Sequence, residues 1–377
     1  MRGAGRTALI VGVIGAGLCV VGVLVDPARL LASYLVAYAA VVALVVGVLL
    51  MRMMAPLCGA TWFVPYRRAA DATAATLPLL ALLFLPIAFG LGRLYPWAHP
   101  LASLPPALRA AVAPKRAYLN PAAFVVRAAI YLVLWSAVAL CLGRWARRRD
   151  GATELALARR QRVLSAVALP AVAFALSFAA FDWLMSLAPA WSSTIFGVYY
   201  FAGGMIAALA WLALAAGEAP APTPAQQHAL ATLLFAFVVF WAYCGFSQFL
   251  IIWIGDVPGE VAWYVPRLAG SWGVLGGILL VGGFVLPFLA LLFRAVKRER
   301  RRLAAVAVWL LALHWLDVYW MVLPASHPAG WPPHWLDLAA LAAVGGFTLA
   351  LAVRLGARHE APAEPARRAA GERREAS

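Results

Sequence analysis

Ten long apolar runs constrain the fold of this chain more than any other feature of its sequence. Each run holds about twenty mostly apolar residues, which is the length that an α-helix needs to cross a lipid bilayer. The runs do not alternate apolar with polar residues, so their backbone groups must bond within helices rather than between the strands of a barrel. We predict spans one to ten at residues 8–25, 31–51, 69–92, 122–143, 163–187, 193–216, 229–254, 268–293, 303–323 and 335–355.

The composition favours lipid rather than water as the surrounding solvent. Of the 377 residues, 65% are hydrophobic and only 12% are charged, whereas soluble domains have roughly 25% charged residues. We therefore predict an all-α integral membrane protein in which residues 1–356 form one ten-helix membrane domain. Residues 357–377 are charged and rich in alanine, which predicts a disordered cytoplasmic tail.

Positive charges are distributed unevenly between the two sides of the predicted membrane domain. With the N-terminus placed inside, 24 of the 31 Lys and Arg residues fall in inner segments and only six in outer ones. This bias follows the positive-inside rule and predicts that both termini are cytoplasmic. The net charge of +16 is then explained by topology. We therefore expect contact with the lipid bilayer and no nucleic-acid partner.

Spans five and nine share a pattern that indicates an internal repeat. Both run outward after a cluster of arginines, and both place an aspartate beside aromatic residues in their outer third. Repeats of this kind are common in membrane transport proteins. We predict two four-helix bundles in parallel, one of spans two to five (about 31–187) and one of spans six to nine (about 193–323), with spans one and ten peripheral.

Two acids inside apolar runs are the strongest functional signal. Asp182 lies in FDWLMSL and Asp317 lies in HWLDVYW, where His314 precedes it by three residues and shares its helix face. An ionisable group in hydrocarbon is costly, so such residues usually serve a function. We predict that Asp182, His314 and Asp317 transfer protons. The alternative is that the aspartates cap or bond neighbouring helices and that the tryptophans form an interfacial belt.

Other polar residues are candidates for the two ends of a proton path. Tyr243 and Ser247 are four residues apart and predict a polar face on span seven, while Asp256 beyond it lies at the outer mouth. Asp71 opens span three on the inner side, where it is a candidate for proton uptake or for an ion pair with a nearby arginine. Arg127, near the outer start of span four, is expected to pair with a carboxylate or to reach the headgroups.

Metal and haem sites are not predicted for this chain. The four cysteines, Cys19, Cys58, Cys141 and Cys244, are isolated, and no C-x-x-C motif occurs. A transmembrane b-type haem needs facing histidines, but only His314 lies well inside a predicted helix.

Several motifs resemble the F subunit of alternative complex III, in the same order along the chain. They are LPLLALLFLP at 77–86, LYPW at 94–97, FDWLMSL at 181–187, STIFGVY at 193–199, FAG at 201–203, FWAY at 240–243, SQF at 247–249 and HWLDVYW at 314–320. The chain departs from that family at Ala188 and Ala190, where an acid and a histidine are usual, and at Gly259, where a second acid next to Glu260 is usual.

The resemblance implies an NrfD-like fold, similar to the membrane subunit of polysulfide reductase. It implies a quinol:cytochrome c oxidoreductase of the bacterial inner membrane, in which quinol is oxidised near the outer face. Expected partners are a homologous NrfD-like membrane subunit and periplasmic subunits that carry iron–sulfur clusters and haems of the multihaem cytochrome c type. This subunit itself would bind quinone, conduct protons or both, and would not be active alone.

The resemblance and the residues together define the expected sites. Asp182, His314 and Asp317 match the family's intramembrane polar residues, with Tyr243 and Asp71 as further candidates for proton transfer. We expect any quinone pocket near Trp183, Tyr319 and Trp320, and no other cofactor bound by this chain alone. Two other interpretations remain open, a proton-coupled secondary transporter and a purely structural anchor for redox subunits.

Overall fold

A computed structural model describes residues 2–147, 154–216, 221–331 and 333–358. Within these residues all regular secondary structure is helical, and ten helices are long and apolar enough to cross a membrane. The predicted all-α membrane fold and its ten spans are therefore confirmed. The tail predicted for residues 357–377 lies, from residue 359 onward, outside the described residues.

Each predicted span corresponds to one helical segment of the structure. The segments cover Gly3–Val25, Pro27–Leu57, Thr61–Phe89, Pro121–Ala146, Ala156–Leu187, Phe196–Ala215, Pro224–Gly255, Gly270–Leu292, Arg300–Ala325 and Trp335–Ala357. On the side predicted to be outer, the loop before span four contains the short α-helix Pro106–Val112, and the loop after span seven contains the one-turn helices Pro258–Val261 and Val265–Leu268. Inner and outer are used below in this predicted sense. A further short helix, Arg294–Arg298, precedes span nine.

Three spans change their helical form before they end. Span three is divided into Thr61–Tyr66, Arg67–Ala74, Leu77–Leu83 and Leu85–Phe89, with a proline near the start of each of the last two pieces. The α-helix of span five ends at Trp183 and is followed by a 3₁₀ turn at Met185–Leu187. Span eight contains a π-helical segment at Leu279–Val285, between Gly270–Ile278 and Leu286–Leu292.

Spans two and six lie at the centre of the ten spans, and their backbones are in close contact. A Cβ atom added to Gly47 would lie 2.6 Å from the carbonyl oxygen of Gly204, and one added to Gly204 would lie 2.8 Å from that of Ala43. Small residues at these positions let the two backbones approach, as is usual between membrane helices. This seam holds span six, and with it Tyr199 and Gly203, against span two.

The remaining spans surround this centre. Spans two and five contact each other, as do spans four and five and spans three and four, while span six contacts spans seven and nine. Span eight contacts spans seven and nine, and span one contacts span ten. The division into two four-helix bundles stays a prediction, but these contacts bring spans six, seven, eight and nine around one buried acid.

Candidate functional site

Asp317 lies at the meeting point of three spans. Its side chain, on span nine, is buried, with only 3% of the residue exposed. Oδ1 accepts a hydrogen bond of 2.5 Å from the hydroxyl of Tyr199 on span six, and Oδ2 accepts one of 3.1 Å from Nε1 of Trp241 on span seven. The rings of Tyr199 and Trp241 stack with their centroids 5.6 Å apart. Two aromatic donors therefore hold the carboxyl group in one orientation.

Asp317 has hydrogen bonds but no cation beside it. Among the residues that the structure describes, no salt bridge involves this carboxyl group. An acid paired with a cation must break that pair when it takes up a proton, which is costly inside a protein. Asp317 can gain or lose a proton without this cost, which is the property that a proton carrier needs.

His314 presents a free nitrogen to the same region. Its Nε2 lies 3.1 Å from the carbonyl oxygen of Ala40, an acceptor only, so this nitrogen must carry the hydrogen and Nδ1 must be the acceptor. Nδ1 is buried and has no hydrogen-bond partner among the described residues. A Cβ atom on Gly203 would lie 3.4 Å from Nδ1 and 3.5 Å from Oδ2 of Asp317. The missing side chain of Gly203 therefore leaves both acceptor atoms facing one small gap.

A small cavity adjoins this gap. Its volume is about 20 Å³, and its lining includes His314, Asp317, Trp241, Gly203 and Gly283. One water molecule needs roughly 10–15 Å³ by the same measure, so the cavity has room for a single water and none for an aromatic ring. The sequence predicted the pairing of His314 with Asp317 on one helix face, and the structure adds the space between them.

The π-helical segment of span eight forms one wall of this cavity. Leu279 and Gly283 belong to the segment and line the cavity. The wider π turn disturbs the regular ladder of hydrogen bonds, and Nε1 of Trp309 on span nine donates to the carbonyl oxygen of Gly282 at 2.8 Å. Single π turns often occur at functional sites. Apart from the paired glycines, nothing in the sequence indicated this segment.

Asp182, the second predicted proton carrier, lies in a very different environment. Arg127 binds both of its oxygens, through Nη2 to Oδ1 at 2.8 Å and through Nε to Oδ2 at 2.9 Å. Tyr131 donates to Oδ2 at 2.9 Å, and the hydroxyl of Ser186 donates to the backbone oxygen of Asp182. A bidentate ion pair of this kind fixes both side chains in one geometry. These contacts favour the structural alternative for Asp182 and the carboxylate partner expected for Arg127.

The three residues predicted to form a quinone pocket do not meet in one cavity. Trp183 is completely buried against the rings of Phe84 and Tyr38, with centroids 5.2 and 5.6 Å away. Tyr319 donates at 3.2 Å to Asp337, which forms a buried salt bridge of 2.7 Å with Arg29. This packing leaves no room for a quinone ring beside Trp183, and it gives Tyr319 a structural role in joining spans two, nine and ten.

Trp320 directly follows Tyr319 in span nine, but its ring packs against other residues. Its ring meets that of Trp263 edge-on, with centroids 5.6 Å apart. The guanidinium of Arg267 lies 3.6 Å from the Trp263 ring and 5.8 Å from the Trp320 ring. Arg267 donates to the backbone oxygens of Trp320 at 3.3 Å and Met321 at 2.8 Å, so it caps the end of span nine.

Arg267 is a buried cation with aromatic and carbonyl partners. No salt bridge to a carboxylate is found for it among the described residues. Burial lowers the pKa of Arg267 to about 9, which still leaves it charged at neutral pH. In the sequence this residue is only one of the few Lys and Arg residues of the predicted outer segments.

The other two candidates for proton transfer are separated from Asp317. Tyr243 is 62% exposed and lies on the face of span seven that points away from the other helices, whereas Trp241, Cys244 and Gln248 lie on its buried face. The polar path predicted through Tyr243 and Ser247 therefore does not lead to the buried acid. Asp71 is buried at the inner side, where Nε of Arg52 on span two binds it at 2.6 Å.

A larger cavity lies at the outer end of span seven. Its volume is about 440 Å³, within the usual range for small-molecule pockets. The lining residues are Phe249, Ile252, Trp253, Asp256, Val261, Tyr264, Val265 and Leu268. Asp256 ends span seven in a left-handed conformation, with φ 45° and ψ 34°, which turns the chain toward the next short helix. We refer to this cavity as the outer pocket.

Three residues that the sequence analysis did not single out connect the outer pocket with span six. The hydroxyl of Ser193 donates to Oε1 of Gln248 at 2.8 Å, and Nε2 of Gln248 donates to the hydroxyl oxygen of Tyr264 at 2.8 Å. Gln248 and Tyr264 are buried. The only sequence signal was Gln248 itself, an amide within an apolar span.

Comparisons with known proteins add no assignment to this geometry. No protein-family model matches the chain, and no curated protein matches it. Within the described part of the chain, no group of three or more His, Cys, Asp or Glu residues is arranged to hold a metal ion.

Proposed function

We propose that this chain is the proton-transferring membrane subunit of a quinol:cytochrome c oxidoreductase complex of the alternative complex III type. The observation that carries the proposal is Asp317, a buried acid with two hydrogen-bond donors, no cation and a neighbouring free histidine nitrogen. The ordered set of motifs from span three to span nine supports the choice of complex.

Asp317 and His314 divide the work of proton transfer in this proposal. The carboxyl group takes up and releases the proton, while Tyr199 and Trp241 hold its two oxygens in place. The single water that fits the adjoining cavity bridges Oδ2 to Nδ1 of His314. Asp182 is not a carrier in this scheme, because its ion pair with Arg127 holds span four against span five.

The proposed setting is the bacterial inner membrane, with both termini in the cytoplasm. The asymmetry of Lys and Arg between the two sets of loops supports this orientation. Iron–sulfur and multihaem cytochrome c subunits would dock on the outer face, together with a second NrfD-like membrane subunit. The whole complex, rather than this chain alone, would be the active enzyme.

Quinone binding is a second candidate function, and the outer pocket favours it. The pocket volume of about 440 Å³ accommodates a quinone headgroup, and Trp253, Phe249 and Tyr264 offer aromatic faces. Asp256 would accept a hydrogen bond from a quinol hydroxyl. This location replaces the pocket predicted near Trp183, Tyr319 and Trp320, where the packing is too dense.

The test measures coupling in the purified complex. The full-length chain is isolated in mild detergent with its partners and reconstituted into vesicles, and turnover is driven by a short-chain quinol with cytochrome c as acceptor. A dye inside the vesicles reports the protons moved per electron. Quinol oxidation itself releases protons in every variant, so Asp317→Asn should leave that part of the ratio and lower the remaining, transferred part at least tenfold, while the complex still assembles and the helical content is unchanged.

Two variants make the result specific. Glu299→Gln removes a half-exposed acid that pairs with Arg302 at the inner side, and it should leave the ratio unchanged. Asp182→Asn should reduce the yield of folded protein more than the ratio. An unaltered ratio in Asp317→Asn would refute proton transfer, and failure of iron–sulfur and haem subunits to co-purify would favour the transporter.

The structural anchor is tested by the same preparation. A structural anchor moves no protons, so Asp317→Leu should then leave the proton-to-electron ratio unchanged, although it lowers stability by leaving the buried donors of Tyr199 and Trp241 without an acceptor. A proton carrier predicts loss of coupling in Asp317→Leu as well as in Asp317→Asn.

A further inference from the structure

We infer that protons pass between Asp317 and the outer pocket through Tyr199, Gln248 and Tyr264, and that Asp256 is the group at the mouth of this route. The inference rests on the proposed proton transfer at Asp317 and adds the direction and the residues of the path. It replaces the path through Tyr243 and Ser247 that the sequence predicts.

The outer half of the route is a hydrogen-bonded chain. Gln248 accepts from the hydroxyl of Ser193 and donates to the oxygen of Tyr264, each at 2.8 Å. Because the Tyr264 oxygen already accepts this bond, its own hydrogen is free to point into the outer pocket. Tyr264 and Asp256 both line that pocket. A proton leaving Tyr264 therefore has a carboxylate acceptor in the same cavity.

The inner half begins at the hydroxyl of Tyr199, which already contacts Asp317 at 2.5 Å. The Tyr199 ring lies against span seven at Gly245, where a Cβ atom would be only 3.0 Å from its Cε2. Gly245 thus permits the close approach of the ring to the buried side of span seven. Gln248 follows Gly245 by three residues, on the next turn of the same side.

The two halves are separated by about one to two helical turns. Trp241, which also binds Asp317, and Gln248 are seven residues apart on span seven, or about 10 Å along the helix axis. In the proposed route, water molecules between Tyr199 and Gln248 bridge this gap: a proton that arrives at Oε1 of Gln248 is balanced by one that leaves Nε2 for the Tyr264 oxygen, and rotation of the amide restores the starting form. Such a step makes the amide of Gln248 the control point, because it is the only polar side chain on the buried side of span seven in this interval.

The charges around the outer end suit proton release. The buried cation Arg267 lies between Val265 and Leu268, two lining residues of the outer pocket, and it caps span nine just beyond Asp317. A fixed positive charge there raises the energy of any freely moving cation. The same repulsion acts on a proton held near Arg267, and it favours release of that proton toward the mouth at Asp256.

The experiment measures hydrogen–deuterium exchange at the Asp317 carboxyl group in the full-length protein in lipid. Infrared difference spectra identify its C=O band as the one that disappears in Asp317→Asn, and the exchange rate is followed after transfer to D₂O. Gln248→Leu and Tyr264→Phe should each slow this exchange at least tenfold. Tyr243→Phe, which removes an outward-facing hydroxyl from the same span, should exchange at the wild-type rate.

Ser193→Ala gives a milder variant if Gln248→Leu does not fold. It removes one hydroxyl from the chain of hydrogen bonds, and it should slow exchange several-fold. Wild-type exchange rates in Tyr264→Phe and Ser193→Ala would overturn the route. Slowing by Tyr243→Phe alone would reinstate the path on the other side of span seven.

The outcomes separate the route from the proposed function. If Asp317→Asn abolishes coupling but exchange in the route variants stays fast, proton transfer stands and the route is wrong. If exchange slows in the route variants while Asp317→Asn leaves coupling intact, the route gives access to Asp317 but the proposed function is wrong.

Discussion

The hydroxyl of Tyr199 lies 2.5 Å from Oδ1 of Asp317, so a single short hydrogen bond joins spans six and nine at the candidate site. The corresponding acid of span five, Asp182, is bound instead by the cation Arg127 at 2.8 Å. One acid is therefore held by neutral donors and the other by a charge. This difference, and not the presence of two acids, separates a candidate proton carrier from a structural ion pair.

Replacing Tyr199 by Phe should lower both the stability of the protein and its proton coupling. Tyr199→Phe keeps the ring stacked on Trp241 but removes the donor to Asp317, which should cost about 1–3 kcal/mol of unfolding free energy. Tyr200→Phe is the matched control, since the Tyr200 hydroxyl donates at 2.7 Å to the Ala39 oxygen and does not contact Asp317. Unfolding in detergent and proton-to-electron ratios should show similar stability losses but impaired coupling only in Tyr199→Phe. Equal coupling in the two variants would contradict the role of Tyr199.

The ion pair between Arg127 and Asp182 should behave as a structural unit. Asp182 is fully buried and the Arg127 side chain is 19% exposed. Arg127→Met leaves a buried carboxylate without its cation, which should lower the unfolding free energy by about 3–5 kcal/mol. The double variant with Asp182→Leu should recover most of this loss, because both charges are then removed.

An exposed pair provides the reference for this cycle. Arg302 and Glu299 are 58% and 47% exposed and lie 2.6 Å apart, and Glu299→Ala should cost about 0–1 kcal/mol. A loss of that small size in Arg127→Met would show that the buried pair is not structural. Proton coupling should be retained in the double variant. Loss of coupling there would show that Asp182 carries protons.

The sequence predicted what depends on local hydrophobicity. All ten spans were located correctly, because a run of apolar residues is itself the physical cause of a spanning helix. Asp182 and Asp317 were both expected to be buried, and both are. These features depend on residues that are neighbours in the chain, so no knowledge of the packing was needed.

The sequence could not predict features that depend on which helices meet. Arg127 and Asp182 are 55 residues apart and Tyr199 and Asp317 are 118 apart, so neither pairing leaves a local pattern. The exposed position of Tyr243 is a further case, since one residue of helical rotation decides whether a side chain is buried or exposed. The quinone pocket predicted near Trp183 stays a prediction, and the rings of Tyr38 and Phe84 pack directly against Trp183.

The contact between spans two and six should tolerate no additional methyl group. Gly47→Ala places a Cβ atom 2.6 Å from the Gly204 oxygen and 2.9 Å from Cβ of Ala208, so the helices must separate. We expect a loss of about 1–3 kcal/mol, as for other overpacked sites. Gly277→Ala is the control, because a Cβ atom there meets nothing within 4 Å. It should be neutral or stabilise the helix by up to about 1 kcal/mol. Equal thermal stability of the two variants would contradict the close contact.

Arg267 gives a prediction whose sign depends on pH. Burial lowers the pKa of Arg267 to about 9, well below its ordinary value, so above pH 9 the folded protein loses this proton before the unfolded chain does. The unfolded state then holds more protons, and stability attributable to Arg267 rises with pH above about 9. The slope cannot exceed about 1.4 kcal/mol per pH unit for one group.

The measurement compares wild type with Arg267→Met from pH 8 upward. At neutral pH Arg267→Met should be less stable by about 1–3 kcal/mol, since the backbone oxygens of Trp320 and Met321 lose their donor. The difference in unfolding free energy should widen above pH 9, because only the wild type gains the contribution described above. The unfolding free energy of Arg302→Met, a change at an exposed site, should follow that of the wild type over the same pH range.

Arg267→Lys keeps the positive charge but lacks the planar guanidinium group, which donates hydrogen bonds in several fixed directions. It should therefore recover only part of the unfolding free energy that Arg267→Met loses. Full recovery of stability in Arg267→Lys would show that the charge matters more than the hydrogen bonds that cap span nine. No loss of stability in Arg267→Met would show that Arg267 stabilises the protein through neither the charge nor the cap.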